Sequence, residues 1–183
     1  MRSHGKILDA TLGLIGSGGF EAVSIASAAH AAGVTRQTVY SIFGSREELV
    51  SQAMAGHMTE VARGLQAGLA AARNPCEYVV ELIVACRSSV RTDPVLITLL
   101  RSESSNPLFD SGAVGRAKAV ARTLLAPLVE LYPEVRPRFD DIVEISVHLG
   151  LSAVLFDDDA LRSDDDLRAF LTRWLAPAMP PLP

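Results

Sequence analysis

Apolar residues in the first fifty positions recur at intervals of three and four, the spacing that lines one face of a helix. Ile7, Leu8, Leu12, Leu14 and Ile15 form one such set, and Val34, Val39 and Ile42 form another. Between them Gly19 and Gly33 punctuate the pattern, so residues 6–50 are predicted to form three short helices and two tight turns. The stretch from Ser24 to Gly44 has the layout of a helix-turn-helix, about 25–44, whose second helix is shaped to enter a DNA major groove. Gly33 supplies the left-handed backbone that ends the first of these helices. Ala29, four residues earlier, is small enough for the second helix to approach. With Val34, Val39 and Ile42 expected inward, Arg36, Gln37, Thr38 and Ser41 are left outward, and all four can donate hydrogen bonds. Gly13, Gly16 and Gly18 weaken the first helix by about 1 kcal/mol each relative to alanine, so it is expected to depend on packing by its apolar face.

The remaining pattern is also helical. Ser45 and Glu48 read as a capping box opening a fourth helix through Leu49, Ala53, Val61 and Leu65 towards Ala72, ended by Asn74-Pro75. Residues 77–91 are apolar on nearly every side, as expected of a helix at the centre of a domain. Asp93-Pro94 opens a short apolar segment to Arg101, and residues 104–107 have the chemistry of a loop. A helix from Gly115 to Leu131 contains Pro127 as a predicted kink, and one over 139–156 mixes Ile and Leu with small residues. The last helix starts at Ser163-Asp164 and stops before Pro177, and the Pro-rich end is expected to fray. No alternation long enough for a strand is present, so the expected class is all-α: residues 1–50 as a helix-turn-helix domain and residues 51–183 as a second helical domain.

Composition narrows this little. At 183 residues with 49% hydrophobic and 21% charged positions, the chain can bury a substantial core, and no apolar run of 18 predicts a membrane span. The N-terminal residues lack an apolar signal core, giving a cytoplasmic expectation. The net charge of -4 does not point to nucleic acid. Arg2, Lys6, Arg36 and Arg46 balance Asp9, Glu21, Glu47 and Glu48 within the first fifty residues, so the acidic excess falls on the rest. Backbone amides and helix N-termini would still hold phosphates, though with modest non-specific affinity.

Residues 6–50 resemble the DNA-binding domain of the TetR family of transcriptional regulators. The resemblance rests on Lys6-Ile7-Leu8-Asp9-Ala10, the Gly19-Phe20 turn, the Gly33-Val34-Thr35 turn, the Tyr40 and Phe43 pair, and Ser45-Arg46-Glu47-Glu48-Leu49. Three positions depart from the usual pattern. Ile42 stands where a polar residue, often histidine, makes a phosphate contact, Gln37 replaces a frequent glycine, and Arg46 replaces lysine. The resemblance implies that Thr35 caps the recognition helix and touches phosphate, that Arg36, Gln37 and Thr38 face base edges beside Ser41, and that Ser24, Tyr40 and Arg46 clamp phosphates. It further implies a homodimeric repressor that binds a palindromic DNA operator and is released by a small, largely apolar effector. No catalytic residue, metal or cofactor is expected. A different class of reading is a helical ligand-binding or interaction protein whose DNA-binding face has lost its target, supported by Ile42 and the neutral N-terminal segment.

In the second domain the effector is expected to meet Ile83, Cys86, Arg87, Leu100 and His148. Each has a plainer alternative: Cys76 and Cys86 as buried free thiols, Arg87 and Arg91 paired with acidic neighbours, His148 as a core or interface residue. The dimer interface is expected on the helices at 139–156 and 164–176, through Ser146, Gly150, Ala153, Phe170 and Trp174. The acidic runs 157–159 and 164–166 lack the ligand spacing of a calcium loop, and the second is better placed to cap a helix.

Overall fold

The computed structural model describes residues 2–101, 113–156 and 163–179. Nine α-helices account for most of them: α1 (Arg2–Gly18), α2 (Ile25–Ala32), α3 (Arg36–Phe43), α4 (Arg46–Leu69), α5 (Pro75–Thr92), α6 (Pro94–Arg101), α7 (Ala113–Leu131), α8 (Phe139–Leu155) and α9 (Asp164–Leu175). Among the described residues no strand occurs, so the all-α expectation holds. The loop expected at 104–107, the acidic run 157–159 and the frayed end at 180–183 lie outside the described residues. The chain divides into two compact units, one of residues 2–61 and 91–101, the other of 62–90, 113–156 and 163–179.

In the first unit Ile7, Ile15, Val23, Ala28, Ala29, Val39, Phe43 and Leu49 form one buried cluster, with Leu8, Leu12 and Leu14 packed against it. Thr11 is fully buried between Ile7 and Ile15, and its hydroxyl is satisfied by donating to the Ile7 carbonyl at 2.8 Å. The glycine at position 16 has a packing cause. A Cβ there would stand 3.0 Å from the Cβ of Pro94, because α6 lies directly against α1. Val95 completes the cluster, and Thr98 Oγ1 donates to the Ile15 carbonyl at 3.3 Å. The short α6 is therefore part of this core, which spacing alone did not reveal.

Asp93 is the cap that lets α6 start. Its Oδ1 accepts from the amides of Val95 at 2.8 Å and Leu96 at 3.2 Å, while Oδ2 lies 2.8 Å from Nε2 of His57 on α4. The His57 contact is a short electrostatic one without the alignment of a hydrogen bond. Pro75 opens α5 rather than merely closing the helix before it: α4 ends at Leu69, and Asn74 Oδ1 caps the Glu77 amide at 2.8 Å.

In the second unit α5 is the central element, burying Cys76, Tyr78, Val79, Val80, Leu82, Ile83, Val84 and Arg87. Tyr78 donates to the Leu124 carbonyl and Tyr132 to the Ala72 carbonyl, both at 3.0 Å. Pro127 sits inside α7 as expected, and its missing N–H leaves the carbonyl four residues earlier without a helical donor. Lys118–Glu144 at 2.6 Å and Arg122–Asp140 at 2.7 Å tie α7 to α8. In α9, Leu167, Leu171 and Leu175 form the buried stripe, and Ser163 with Asp166 makes the capping box that starts it. These hydrogen bonds to Ser163 hold the Asp166 carboxyl below its ordinary range. The capping role expected for the acidic run at 164–166 is thus what this carboxylate performs.

Two outcomes follow. Gly16→Leu should destabilise the protein by about 1–3 kcal/mol, because the added side chain meets Pro94 in a packed interface; a thermal melt no lower than that of the unsubstituted protein would contradict the packing described. Burial pushes the Cys86 thiol up to about 11, so at neutral pH this half-buried group should react with a disulfide reagent much more slowly in the folded protein than after denaturation. Fast labelling of Cys86 in the folded protein would refute that placement.

Candidate nucleic-acid interface

The helix-turn-helix is built around a left-handed glycine. Gly33 has φ 65° and ψ 36°, its amide bonds to the His30 carbonyl, and the Val34 amide bonds back to Ala29 at 2.9 Å. That pair of bonds is the Schellman closure of α2, a backbone conformation that only glycine adopts at little cost. Ala28 and Ala29 are buried at this corner, so the small residue expected at 29 is where the helices approach.

On α3 the inward residues are Val39 and Phe43. The expectation that Ile42 also points inward is corrected: it is 38% exposed, because Phe43, one position on, occupies the core side of the final turn. The outward set is Arg36, Gln37, Tyr40, Ser41 and Ile42, with Thr38 half-buried at the edge. Tyr40 is 64% exposed. Gln37 and Ser41 are one turn apart on the ridge opposite Val39 and Phe43, with Tyr40 on one flank and Thr38 and Ile42 on the other. The protruding face of α3 is thus a row of hydrogen-bonding side chains with an apolar edge.

The starts of α2 and α3 are arranged alike. Thr35 Oγ1 accepts from the Thr38 amide at 3.1 Å and shares a proton with Thr38 Oγ1 at 2.8 Å, so between the two hydroxyls one proton is left to donate outward. Ser24 Oγ accepts from the Ser27 amide at 3.0 Å, and the Ser27 hydroxyl accepts from the Ser24 amide and donates to the Ala22 carbonyl at 2.8 Å. In each helix the first two amides have no carbonyl of their own helix to bond, which makes both termini suited to an anion.

Arg46 occupies a different geometry from that of a free phosphate clamp. Its Nε donates to the Val23 carbonyl and its Nη2 to the Phe20 carbonyl, each at 2.6 Å, and its Nη1 lies 3.8 Å from Glu47. Ser45 caps the Glu48 amide at 3.1 Å, but only half of the expected box forms, since the Glu48 carboxylate accepts from Gln52 instead. Spacing also gave no sign of His4, which stacks on Phe43 at 5.0 Å and meets Gln52 at 3.2 Å. A contact across 48 positions leaves no local signature.

The other expected residues lie as follows. Ile83 and Arg87 are buried on α5 beside half-buried Cys86, and the Arg87 guanidinium approaches Asp164 at 3.5 Å. Leu100 belongs to the first unit, whereas His148 is an exposed residue of the second, 3.1 Å from Glu144. Ser146 is buried and donates to the Ile142 carbonyl at 2.6 Å, Gly150 and Ala153 are half-buried, and Phe170 and Trp174 are 37% and 67% exposed on α9. A Cβ built on Gly150 meets nothing within 4 Å. Among the described residues no cluster of three metal-ligating side chains occurs, and no helix is long and apolar enough to cross a membrane.

Residues 7–53 match the family described as bacterial regulatory proteins, tetR family. The HTH-type transcriptional repressor KstR of Rhodococcus jostii (strain RHA1) is 34% identical over 92 residues, which span 50% of this chain and 42% of that protein. An uncharacterized HTH-type transcriptional regulator of Mycobacterium tuberculosis is 24% identical over 176 residues, covering 96% of this chain and 85% of the relative. Among solved structures, the TetR family repressor AlkX from Dietzia sp., implicated in the biodegradation of n-alkanes, shares the fold with a TM-score of 0.60 at 22% identity, covering 96% of this chain and 94% of that one. Residues 7–53 of this chain are thus a helix-turn-helix domain of the type found in the tetR family of bacterial regulatory proteins.

Proposed function

We propose that the chain is a homodimeric repressor that binds a palindromic operator and is released by a small, largely apolar effector. Residues 1–50 carry DNA recognition in this reading, and residues 51–183 carry the effector and the dimer contact. The observation that supports it most is the exposed face of α3, which gathers Arg36, Gln37, Tyr40 and Ser41 on a helix held by Val39 and Phe43. Arg36 and Gln37, at the first turn of α3, and Thr38 beside them read base edges; Ser24, Thr35 and Tyr40 hold phosphates.

Dimerisation is supported by α9, whose buried stripe Leu167, Leu171 and Leu175 leaves Phe170 and Trp174, one turn apart, away from its own core. Ile145 on α8 is likewise 41% exposed. Exposed aromatic residues at helical spacing are suited to a symmetric contact between two copies. The apolar interior around α5 suits an apolar effector, with Ile83, Cys86 and Arg87 on the helix that would meet it. Such a molecule shifts DNA binding only through its differential affinity for the two dimer geometries.

Arg36→Ala should weaken binding to a duplex selected from a randomised pool by about 1–3 kcal/mol, and relax preference at one position per half-site. Fluorescence titrations on that duplex and a scrambled one decide it; an equal loss on both would sink the base-reading role. Failure of the unsubstituted protein to select any duplex would favour a protein whose DNA-binding face has lost its target. Gly150→Arg should separate the subunits, since the position is open on its own chain. Sedimentation that found an unchanged dimer would place the interface elsewhere.

A further inference from the structure

The segment between α1 and α2 is a single tight turn, and three of its carbonyls, those of Phe20, Ala22 and Val23, accept from side chains of the same unit. Gly19, with φ 75°, turns the chain into one turn of 3-10 helix, Phe20–Ala22. The Ala22 carbonyl accepts from Ser27, and the Phe20 carbonyl accepts from both the Val23 amide at 3.2 Å and Arg46 Nη2 at 2.6 Å. The Val23 carbonyl accepts from Arg46 Nε, also at 2.6 Å. Val23 is buried, and the next residue is Ser24, the cap of α2. Arg46 is the first residue of α4, so one guanidinium joins the start of α4 to the backbone immediately before the start of α2.

We infer that Arg46 is a positioning residue for operator binding: it sets the α2 N-terminus, with Ser24 and the free amides of Ile25 and Ala26, at the depth where a phosphate is held. This rests on the DNA-binding reading above and changes the role of one residue within it. The planar fork is what the geometry requires, because Nε and Nη2 diverge at a fixed angle onto two carbonyls three residues apart, and both bonds are charge-assisted. A lysine ammonium keeps the charge without that fork. With Nε and Nη2 bonded into the turn and Nη1 beside Glu47, the guanidinium is committed within its own unit, so its removal should leave the count of released counterions nearly as it was. Its loss acts instead on whatever the turn positions, and Ser24 is the nearest polar side chain.

The test uses the full chain and a duplex selected from a randomised pool by the unsubstituted protein. Arg46→Ala and Arg46→Lys should both lose roughly tenfold or more in affinity, about 1.4 kcal/mol. Both should keep the unsubstituted slope of log affinity against log salt, where loss of a phosphate contact lowers it by about 1. Ser24→Ala should weaken binding in the unsubstituted protein and add little in the Arg46→Ala background, a coupling that general loss of stability does not produce. In case either variant unfolds, the Arg46 Nε–H resonance of the unsubstituted protein should already be protected from exchange without DNA and keep its chemical shift when duplex is added. A slope lowered by about 1 in Arg46→Ala, with Arg46→Lys near normal and Ser24→Ala additive, would overturn the inference. So would an Nε–H protected only in the complex. Absence of any selected duplex is a distinct outcome: it removes the DNA-binding reading itself, and the positioning role with it.

Discussion

The first unit depends on how closely α2 and α3 can meet, and that is decided at the left-handed Gly33. A side chain at that φ would be strained, and a longer corner would move Val39 and Phe43 off the cluster formed by Ile7, Ala28 and Ala29. With those two residues seated, α3 has one orientation about its own axis, and every outward side chain inherits its direction from that fact. The polar face is therefore a consequence of the core, since Val39 and Phe43 hold α3 from its inner side. The exposed side chains could therefore be replaced without disturbing the core that orients α3.

Around that corner the connections are made by polar side chains bonding to backbone. Ser24 and Thr35 close the starts of α2 and α3, Asp93 closes the start of α6, and Arg46 closes the turn before α2. Each satisfies groups that a helix end or tight turn leaves open, which in a small unit matters as much as added apolar area. The second unit uses the same device at longer range. Arg168 forks onto Glu81 with bonds of 2.5 and 3.0 Å, which fixes α9 against α5 where its leucine stripe alone would permit sliding.

Much of this was legible in the residues. Gly33 and Ala29 carry local signals, the cap at Thr35 was implied by the resemblance, and the helix start at Ser163 follows from capping chemistry, whereas Ser24, expected only as a phosphate clamp, is also the cap of α2. The failures are equally specific. Ile42 fitted the three-and-four spacing as well as Phe43 does, and only the packed position of Phe43 decides between them. The packing of α6 on α1 hangs on Gly16 meeting Pro94 across 78 positions, and the fork of Arg46 reaches back 26 positions to Phe20. Periodicity reports which side of a helix is apolar and says nothing of which distant backbone it will touch. For the same reason the sequence could not say which candidate effector residues share one unit, and Leu100 proves to belong to the unit that carries α3.

The central claim is that α3 of two copies reads DNA, and hydroxyl-radical footprinting on a selected duplex tests it most directly. The account predicts two equivalent protected patches related by a twofold axis, in major grooves about 10–10.5 base pairs apart or a multiple of that, centred on an inverted repeat. A single asymmetric patch bound by one copy, or protection confined to a minor groove, would contradict it.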